Sequence, residues 1–390
     1  MNKKQLILPE LYEKVNTWWP YWVVYNIFIN DYKDKFKFIK KIWVKERDLT
    51  TTSNNLIKNL LKKIWVLFIP IILFGIYKIY SKNLKLVKNE KNIISHDIYY
   101  SFILLLFKKT KSIVNVYHWQ WPLYNEIISI WWAWKSVFLK IFLEKIELYV
   151  FKKSKYIWFP SIWAYDCYIN STSKINKVYL NKCNKNWKIK ILYNWINTEQ
   201  NYINELFNNI KKDKNELIFT TVSTLNSEKG VDRIPYLLKY LICNWIKIKW
   251  ILIWSWSLLE KIQMDIKKLE LQNNILIYNK AFKKEEIISL FKKSDFYLML
   301  HRISIFDLAT LEAMSEWNIP ILSNIWWNKE VINGNWILID ESDITNNNYK
   351  KVLDFIKNSN IDKLKNTNIE IIKNNFNNKN FIHLYYKLYA

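Results

Sequence analysis

Glycine is nearly missing from this chain, with 3 in 390 residues. Average usage near 7% would give about 27. Tryptophan, normally among the rarest residues, numbers 22. The two counts look exchanged, since together they approach the ordinary glycine total alone. Few folded domains of this length manage with three glycines, because glycine supplies positive-φ turns and close backbone approach. Cysteine is also scarce. Cys167, Cys183 and Cys243 are odd in number and scattered, which excludes a disulfide framework and suits a reduced cytosolic protein. The four histidines, His96, His118, His301 and His383, are too few and too dispersed for a metal site. We therefore expect no metal and no cofactor. Met1–Glu10 lacks an apolar core of signal-peptide length.

What is present describes a globular protein, at 51% hydrophobic and 24% charged residues, of a length that suits two domains. The net charge of +25 invites a nucleic-acid reading. Two observations argue against it. The chain is crowded with Lys, Asn, Ile, Tyr and Phe, whose codons are A/T-rich, and its lysines are spread along its whole length and not gathered into one arm. Coding bias then explains most of the lysine excess. No nucleic-acid partner is expected, and an anionic membrane surface is the remaining candidate for the basic faces.

Many of the tryptophans lie away from the apolar helix and strand positions that indoles favour. They cluster between apolar strand candidates and helices, beside small or polar residues: Trp18 and Trp19 after Asn16-Thr17, Trp119 and Trp121 around Gln120, Trp254 and Trp256 around Ser255, Trp326 and Trp327 before Asn328. Trp195 and Trp336 each follow Asn at turn-like spots. Asn-Gly is a strong turn pair, whereas Asn-Trp is not. Glycine at these positions makes each segment chemically sensible. The sequence therefore reads as the product of a gene in which UGA means glycine, translated with UGA as tryptophan. The alternative is a natural Trp-rich, Gly-poor protein. Trp250, inside an apparent strand, is the best candidate for an authentic indole.

The first half reads as short strands and helices. Strand candidates are Gln5–Leu8, Asn92–His96, Ser112–His118 and Tyr156–Pro160; helical stretches are expected near Val23–Lys41 and over Lys135–Lys153. Leu56–Tyr80 is strongly apolar, but its core contains Pro70, Gly75 and Lys78. It is short and interrupted for a span and reads as a buried or interfacial helix. From Glu216 the alternation becomes regular. Strands are expected at Leu217–Val222, Ile246–Ile253, Asn274–Tyr278, Asp295–Leu300, Pro320–Ser323 and Trp336–Ile339. Helices are expected at Val231–Cys243, Leu258–Leu271, Lys284–Lys293 and Leu308–Glu316, with further ones near Tyr349–Asn358 and Phe381–Tyr389. Strand-helix alternation predicts an α/β fold with a parallel sheet covered on both faces.

In open α/β sheets ligands sit beyond the carboxyl ends of strands, and four such loops here carry chemistry. The loop Val222–Gly230 places Lys229 at a helix start beside free N–H groups, which suits a phosphate. The Trp254-Ser255-Trp256-Ser257 turn becomes Gly-Ser-Gly-Ser and would let a ligand approach backbone. In Leu300–Met314, Asp307 is a good N-cap; the helix start, with Ile305, Phe306 and Leu308 around it, offers its dipole to a diphosphate. Glu312, about one turn inside, could reach back to a ribose. In Asn324–Glu330, glycines at 326 and 327 would give a flexible loop presenting Glu330. Each has a plain alternative: a capped turn for Lys229, capping alone for Asp307, solvated carboxylates for Glu312 and Glu330.

As a set, Lys229-Gly230-Val231-Asp232, the Gly-Ser-Gly turn, Leu311-Glu312-Ala313-Met314 followed by Pro320-Ile321-Leu322-Ser323, and Asn328-Lys329-Glu330 resemble the retaining glycosyltransferases of the GT-B fold, family 4 (glycosyl transferases group 1). The match runs through residues 190–340. In the first half it rests on 16–22, on Ser95-His96-Asp97 and on Tyr117–Pro122. The resemblance implies two Rossmann-like domains facing a central cleft: an acceptor-side domain at 1–195 and a nucleotide-sugar domain at 196–374, with a helix at about 375–390 packing back on the first. It implies a nucleotide-sugar donor and a glycan or lipid-linked acceptor of the cell surface. It also implies retention at the anomeric carbon, no essential metal and a cytoplasmic or peripheral membrane location.

Carried over by position, Lys229 would bind the donor diphosphate and stabilise leaving-group charge, and Glu312 would hold the ribose. His118 would contact the donor sugar near the reacting carbon. Positions 18 and 19, as glycines, would admit phosphates to the backbone. The sequence departs from the family in two places. The first motif glutamate is Ser304, and the usual Gly-Arg before the lysine loop is Ser223-Thr224; Arg302 could supply the missing positive charge. The rivals are a GT-B sugar-nucleotide epimerase or phosphorylase and, if the indoles are real, a non-catalytic binder of glycan or nucleic acid. Peptide mass spectrometry of protein from its native source should find glycine at 254, 256, 326 and 327. Intact tryptophan there would sink the recoding reading.

Overall fold

The computed structural model describes residues 5–12, 36–41, 93–107, 113–116, 121–125, 137–196, 207, 210, 212–224, 227–255, 259–280, 282–304, 307–325, 327–330 and 336–387. The expectations for Leu56–Tyr80, Trp18, Trp19, His118, Trp256, Ile305, Phe306 and Trp326 lie outside them. The chain divides into two compact units. One holds Met1–Leu192 and Tyr385–Ala390, the other Tyr193–Leu384.

The first unit carries strands β1 (Gln5–Tyr12), β2 (Phe36–Lys41), β3 (Ile93–Ser95), β4 (Ile113–Val116), β5 (Tyr156–Phe159) and β6 (Ile189–Ile191). They form one sheet in the order β2-β1-β3-β4-β5-β6, with every pairing parallel. The helical reading near Val23–Lys41 is corrected at its end, because Phe36–Lys41 is a strand. Its Phe36-Lys37-Phe38 alternation has the period of a strand, a local signal that a longer helical window averages away. Three helices were not anticipated: Ile98–Phe107, Ile162–Ser171 and Lys174–Lys185. The first is almost uniformly apolar, so it carries no period to read. Asp97 starts it by accepting from the Tyr99 and Tyr100 amides at 2.7 and 3.1 Å, and Ser161 caps the second by accepting from the Ala164 amide at 2.9 Å. At the end of β3 the His96 ring is buried, hydrogen-bonded to the Tyr385 hydroxyl and stacked on its ring. Tyr385 also meets Trp158 edge-on at 5.2 Å. The helix Asn378–Lys387 therefore starts in the second unit and ends in the core of the first.

The second unit carries β7 (Glu216–Thr224), β8 (Lys247–Ser255), β9 (Ile275–Tyr278), β10 (Phe296–Met299), β11 (Ile319–Ser323) and β12 (Ile337–Ile339). Their order is β12-β11-β10-β7-β8-β9, again all parallel. Strands β10 and β11 are buried at every residue, which explains why they read as unbroken apolar runs. Helices Ile234–Cys243, Leu259–Lys268, Lys284–Phe291 and Leu308–Ser315 connect these strands, and Lys350–Asn358 and Ile361–Asn375 follow β12. Trp250 is fully buried in β8; its indole donates to Thr221 Oγ1 at 3.0 Å, and that hydroxyl donates to the Leu298 carbonyl at 2.8 Å. Three neighbouring strands are thereby tied through one polar pair.

The strand order reverses once in this sheet. From β7 the chain steps outward to β8 and β9, then returns to place β10 on the other side of β7. At such a switch point the two following loops run apart and leave a crevice beyond the strand ends. Here the crevice lies between the turn after β7 and the loop after β10. Gly230 joins them: its φ is +63°, and a Cβ built on it would lie 1.9 Å from the Leu300 carbonyl oxygen. Neither the conformation nor the space admits a side chain.

Three tryptophans share the left-handed region: Trp187, Trp245 and Trp317, with φ of 58°, 69° and 69°. Each follows the last capping residue of a helix, and in each case the next amide donates back to the carbonyl five residues earlier (Lys188 to Cys183, Ile246 to Leu241, Asn318 to Ala313). This is the helix ending in which glycine is preferred. These residues are 79%, 94% and 50% exposed. Glu270 and Asn347 close two other helices in the same way.

Gly230→Ala should remove more than about 4 kcal/mol of stability, the range of severe backbone clashes. Urea unfolding of the variant beside the wild type measures this, and a loss under about 1 kcal/mol would contradict the contact with Leu300.

Candidate functional site

The site is built from the carboxyl ends of β7, β10 and β11 in the second unit. After β7 the chain forms a short 3₁₀ turn, Ser227–Lys229, then Gly230, then a second turn, Val231–Arg233, leading into the helix Ile234–Cys243. Lys229 ends the first turn, half-buried. Its charge acts on both His301 and Asp307, so the three side chains share one region.

The helix Leu308–Ser315 starts after Asp307, as the sequence suggests, but the Asp307 carboxylate makes no capping bond to the helix amides. It accepts instead from the Tyr297 hydroxyl at 3.1 Å and the Thr310 hydroxyl at 2.7 Å. Burial pushes its pKa up, but His301 when protonated, the Lys229 charge and these two hydrogen bonds outweigh burial and hold it below the ordinary carboxylate value. Asp307 therefore leaves the helix amides uncapped while its carboxylate stays charged beside them.

Residue 301 is one that sequence reasoning passed over. His301 is fully buried, and neither ring nitrogen has a hydrogen-bond partner among the described residues. Its Nε2 lies 3.9 Å from Asp307 Oδ2. Burial brings its pKa down to about 4; Asp307 opposes this, and Lys229 adds to it. At neutral pH the ring is uncharged. A lone histidine after an apolar strand looks like a core residue, and nothing in the sequence signals two partnerless nitrogens.

Arg302 is held by its neighbours. Its guanidinium donates to both oxygens of Asp232, at 2.8 and 3.0 Å, and to the Ser227 carbonyl at 2.8 Å. Lys261 meets the same carboxylate at 2.8 Å. Burial alone would raise the Asp232 pKa, but the hydrogen bonds from Arg302 and Lys261 outweigh it and bring the value to about 2. Ser304 is buried and accepts from the Trp327 indole at 2.5 Å. Trp327 is itself fully buried, at the head of the short helix Trp327–Glu330. Glu312 is half-buried in the second turn of its helix, 3.0 Å from the Lys284 ammonium. Glu330 accepts from the Tyr193 hydroxyl at 3.2 Å. Burial, then the Glu330 charge, raises Tyr193 to about 12. Ser223 and Thr224 end β7, paired in register with Trp254 and Ser255 at the end of β8; Leu308 opens the helix. Among the described residues no group of acidic, histidine and cysteine side chains has the spacing of a metal site, and no helix is long and apolar enough to cross a membrane.

A half-buried lysine beside a helix start at the switch point of a parallel sheet is the arrangement of an anion-binding nucleotide site. Residues 203–378 match the family Glycosyl transferases group 1. The match lies wholly within the second unit and contains the Lys229 turn, Asp307, Glu312 and Glu330. No curated protein matches the chain. Among solved structures, a glycosyltransferase from Rickettsia africae aligns over 100% of this chain and 98% of its own, at 14% identity and a TM-score of 0.61. Sucrose-phosphate synthase from Thermosynechococcus elongatus aligns over 83% of this chain and 78% of its own, at 12% identity and 0.60. HepE from Anabaena, solved with UDP and glucose, aligns over 80% and 81%, at 12% identity and 0.56. The fold is that of the GT-B glycosyltransferases: two α/β units, each on a parallel sheet.

The His301 geometry sets a pH dependence. The folded-state value, about 4, lies below the ordinary imidazole value of 6.5. Between those two values the unfolded chain binds the extra proton, so this contribution is complete above about pH 6.5 and lost as pH falls towards 4. The urea midpoint of the wild type should fall across that window more steeply than that of His301→Gln. Parallel curves for the two proteins would contradict the buried neutral ring.

Proposed function

We propose that the chain is a retaining glycosyltransferase of family 4, moving a sugar from a nucleotide-sugar donor to a glycan or lipid-linked acceptor of the cell surface. The observation that carries the reading is the joining of the Lys229 turn to the end of β10 at the sheet's switch point, beside the start of the helix Leu308–Ser315, which Asp307 does not cap. A donor diphosphate there meets the Lys229 ammonium and the helix N–H groups together. As the glycosidic bond to phosphate breaks, negative charge grows on the leaving diphosphate. A fixed cation and fixed dipoles stabilise that charge without reorganising. HepE, whose structure contains UDP and glucose, supports a nucleotide donor of this class.

Glu312, with Lys284 beside it, would accept from ribose hydroxyls. Ser304 in place of the family's first glutamate leaves a hydroxyl where a carboxylate is usual, which alters the donor-sugar contact. His118 keeps its assignment beside the reacting carbon on the strength of the resemblance. No step is assigned to a metal. The excess of lysines, spread over solvated faces, favours contact with an anionic membrane surface of the kind a lipid-linked acceptor requires.

The recoding reading gains support from residues 187, 245 and 317. A left-handed placement costs an L side chain about 1–2 kcal/mol, more than the roughly 0.5–1 kcal/mol of extra chain entropy that glycine loses on folding. At these three turns the indoles are largely exposed, so packing recovers little of that cost. Trp250, buried and hydrogen-bonded to Thr221, behaves as an authentic tryptophan. Trp327 fills space beside Ser304, and glycine there would leave that volume open at the carboxyl end of β11.

Thermal-shift screening with UDP-, GDP-, ADP- and dTDP-glucose should find one donor that raises Tm by about 5 °C at a hundredfold excess over Kd. Lys229→Ala should abolish that shift and the transfer activity. Protein insensitive to all four, or a Lys229→Ala variant with unchanged turnover, overturns the reading.

A further inference from the structure

We propose that Arg302 is a positioning residue: held by Asp232, it fixes the turn that carries Lys229 and does not itself bind the donor. The proposal rests on the reading of that turn as the diphosphate site. A cation one strand-end away from Lys229 looks at first like a second phosphate ligand, and the loss of the family's arginine at Thr224 makes that assignment attractive. The contacts assign it otherwise.

Residues 302 and 303 grip the turn from both sides of Lys229. On the near side, the Arg302 and Ile303 amides both donate to the Glu228 carbonyl, at 2.8 and 3.1 Å. The Arg302 guanidinium donates to the Ser227 carbonyl at 2.8 Å. On the far side the same guanidinium makes a two-pronged pair with Asp232 at 2.8 and 3.0 Å. Between these anchors Gly230 lies flush against the Leu300 carbonyl. Residues 227, 228, 230 and 232 are thus each fixed to the 300–303 segment, and Lys229 is the side chain the fixed turn presents.

The charge balance agrees. The Asp232 carboxylate is 6% exposed and is shared by Arg302 and Lys261. A two-pronged arginine–carboxylate pair is a strong, directional contact. To reach a phosphate, the guanidinium would have to leave that buried carboxylate with one partner and strip the Ser227 carbonyl of its donor. A lysine at 302 could not hold both anchors, because it lacks the planar fork.

The two roles predict opposite behaviour for Asp232→Asn. If Arg302 binds the donor, removing its carboxylate frees the guanidinium, and nucleotide affinity stays or tightens. If Arg302 is a positioning residue, Asp232→Asn loosens the same turn that Arg302→Ala loosens. The full chain, as wild type, Arg302→Gln, Arg302→Ala, Asp232→Asn and the Arg302→Ala/Asp232→Asn double variant, should be titrated calorimetrically with UDP, GDP, ADP and dTDP. Amide hydrogen exchange of 227–232 should be followed in the same proteins without nucleotide. We expect each single variant to weaken binding of the preferred nucleotide by about 10–100-fold, the range for residues that orient a ligand-binding group. The double variant should be no weaker than the worse single, since both changes break one contact, and exchange over 227–232 should quicken in every variant. Unaltered or tighter binding by Asp232→Asn, or unchanged exchange in Arg302→Ala, would overturn the proposal. Lys229→Ala is the separate control: undiminished nucleotide affinity in that variant removes the diphosphate reading, while the exchange data still decide whether Arg302 holds the turn.

Discussion

Where Gly230 passes the Leu300 carbonyl, two loops that begin on neighbouring strands come closer than any side chain permits. Much of the second unit's chemistry depends on that approach. The sheet's reversal opens a crevice between β7 and β10, and a crevice alone is only a gap. Drawing the turn down onto the end of β10 brings Lys229 to the same region as the start of the helix Leu308–Ser315. It also lets the amides of 302 and 303 reach the Glu228 carbonyl. A methyl group at 230 would push the turn outward and separate all of these at once.

Around that contact the unit keeps a small store of buried polar groups whose charges are settled in advance. Asp307 stays ionised because a cation and two hydroxyls face it; His301 stays neutral because burial outweighs the carboxylate 3.9 Å away. Two ionisable groups so close, pushed to opposite choices, leave the region with a fixed pattern of charge at neutral pH. Such a pattern needs no rearrangement when an anion arrives, which is the condition under which fixed dipoles and charges act most strongly.

Much of this was legible in the chain. The buried parallel strands of the second unit announce themselves as apolar runs, and Lys229-Gly230 stands out because glycine is so scarce. Other features were hidden for physical reasons. The partner of Arg302 is 70 residues away, so a local reading sees only an unpaired cation. Asp307 looks like a plain cap, and its hydroxyl partner Tyr297 lies in the preceding strand, a contact that only the folded chain creates. The Phe36–Lys41 strand is too short to outweigh a helical window. The scarcity of glycine pointed to loops, yet Trp187, Trp245 and Trp317 sit at helix ends that the surrounding Lys, Asn and Glu residues disguise.

The His96–Tyr385 contact bears on the order in which the chain is made. Its partners are 289 residues apart, and the entire second unit lies between them. Domains generally fold as they leave the ribosome, the earlier before the later. Here the first unit emerges with a buried imidazole and the Trp158 ring awaiting a tyrosine that has not yet been synthesised. Its core closes only after the second unit has been made, so the unit begun first is the one completed last.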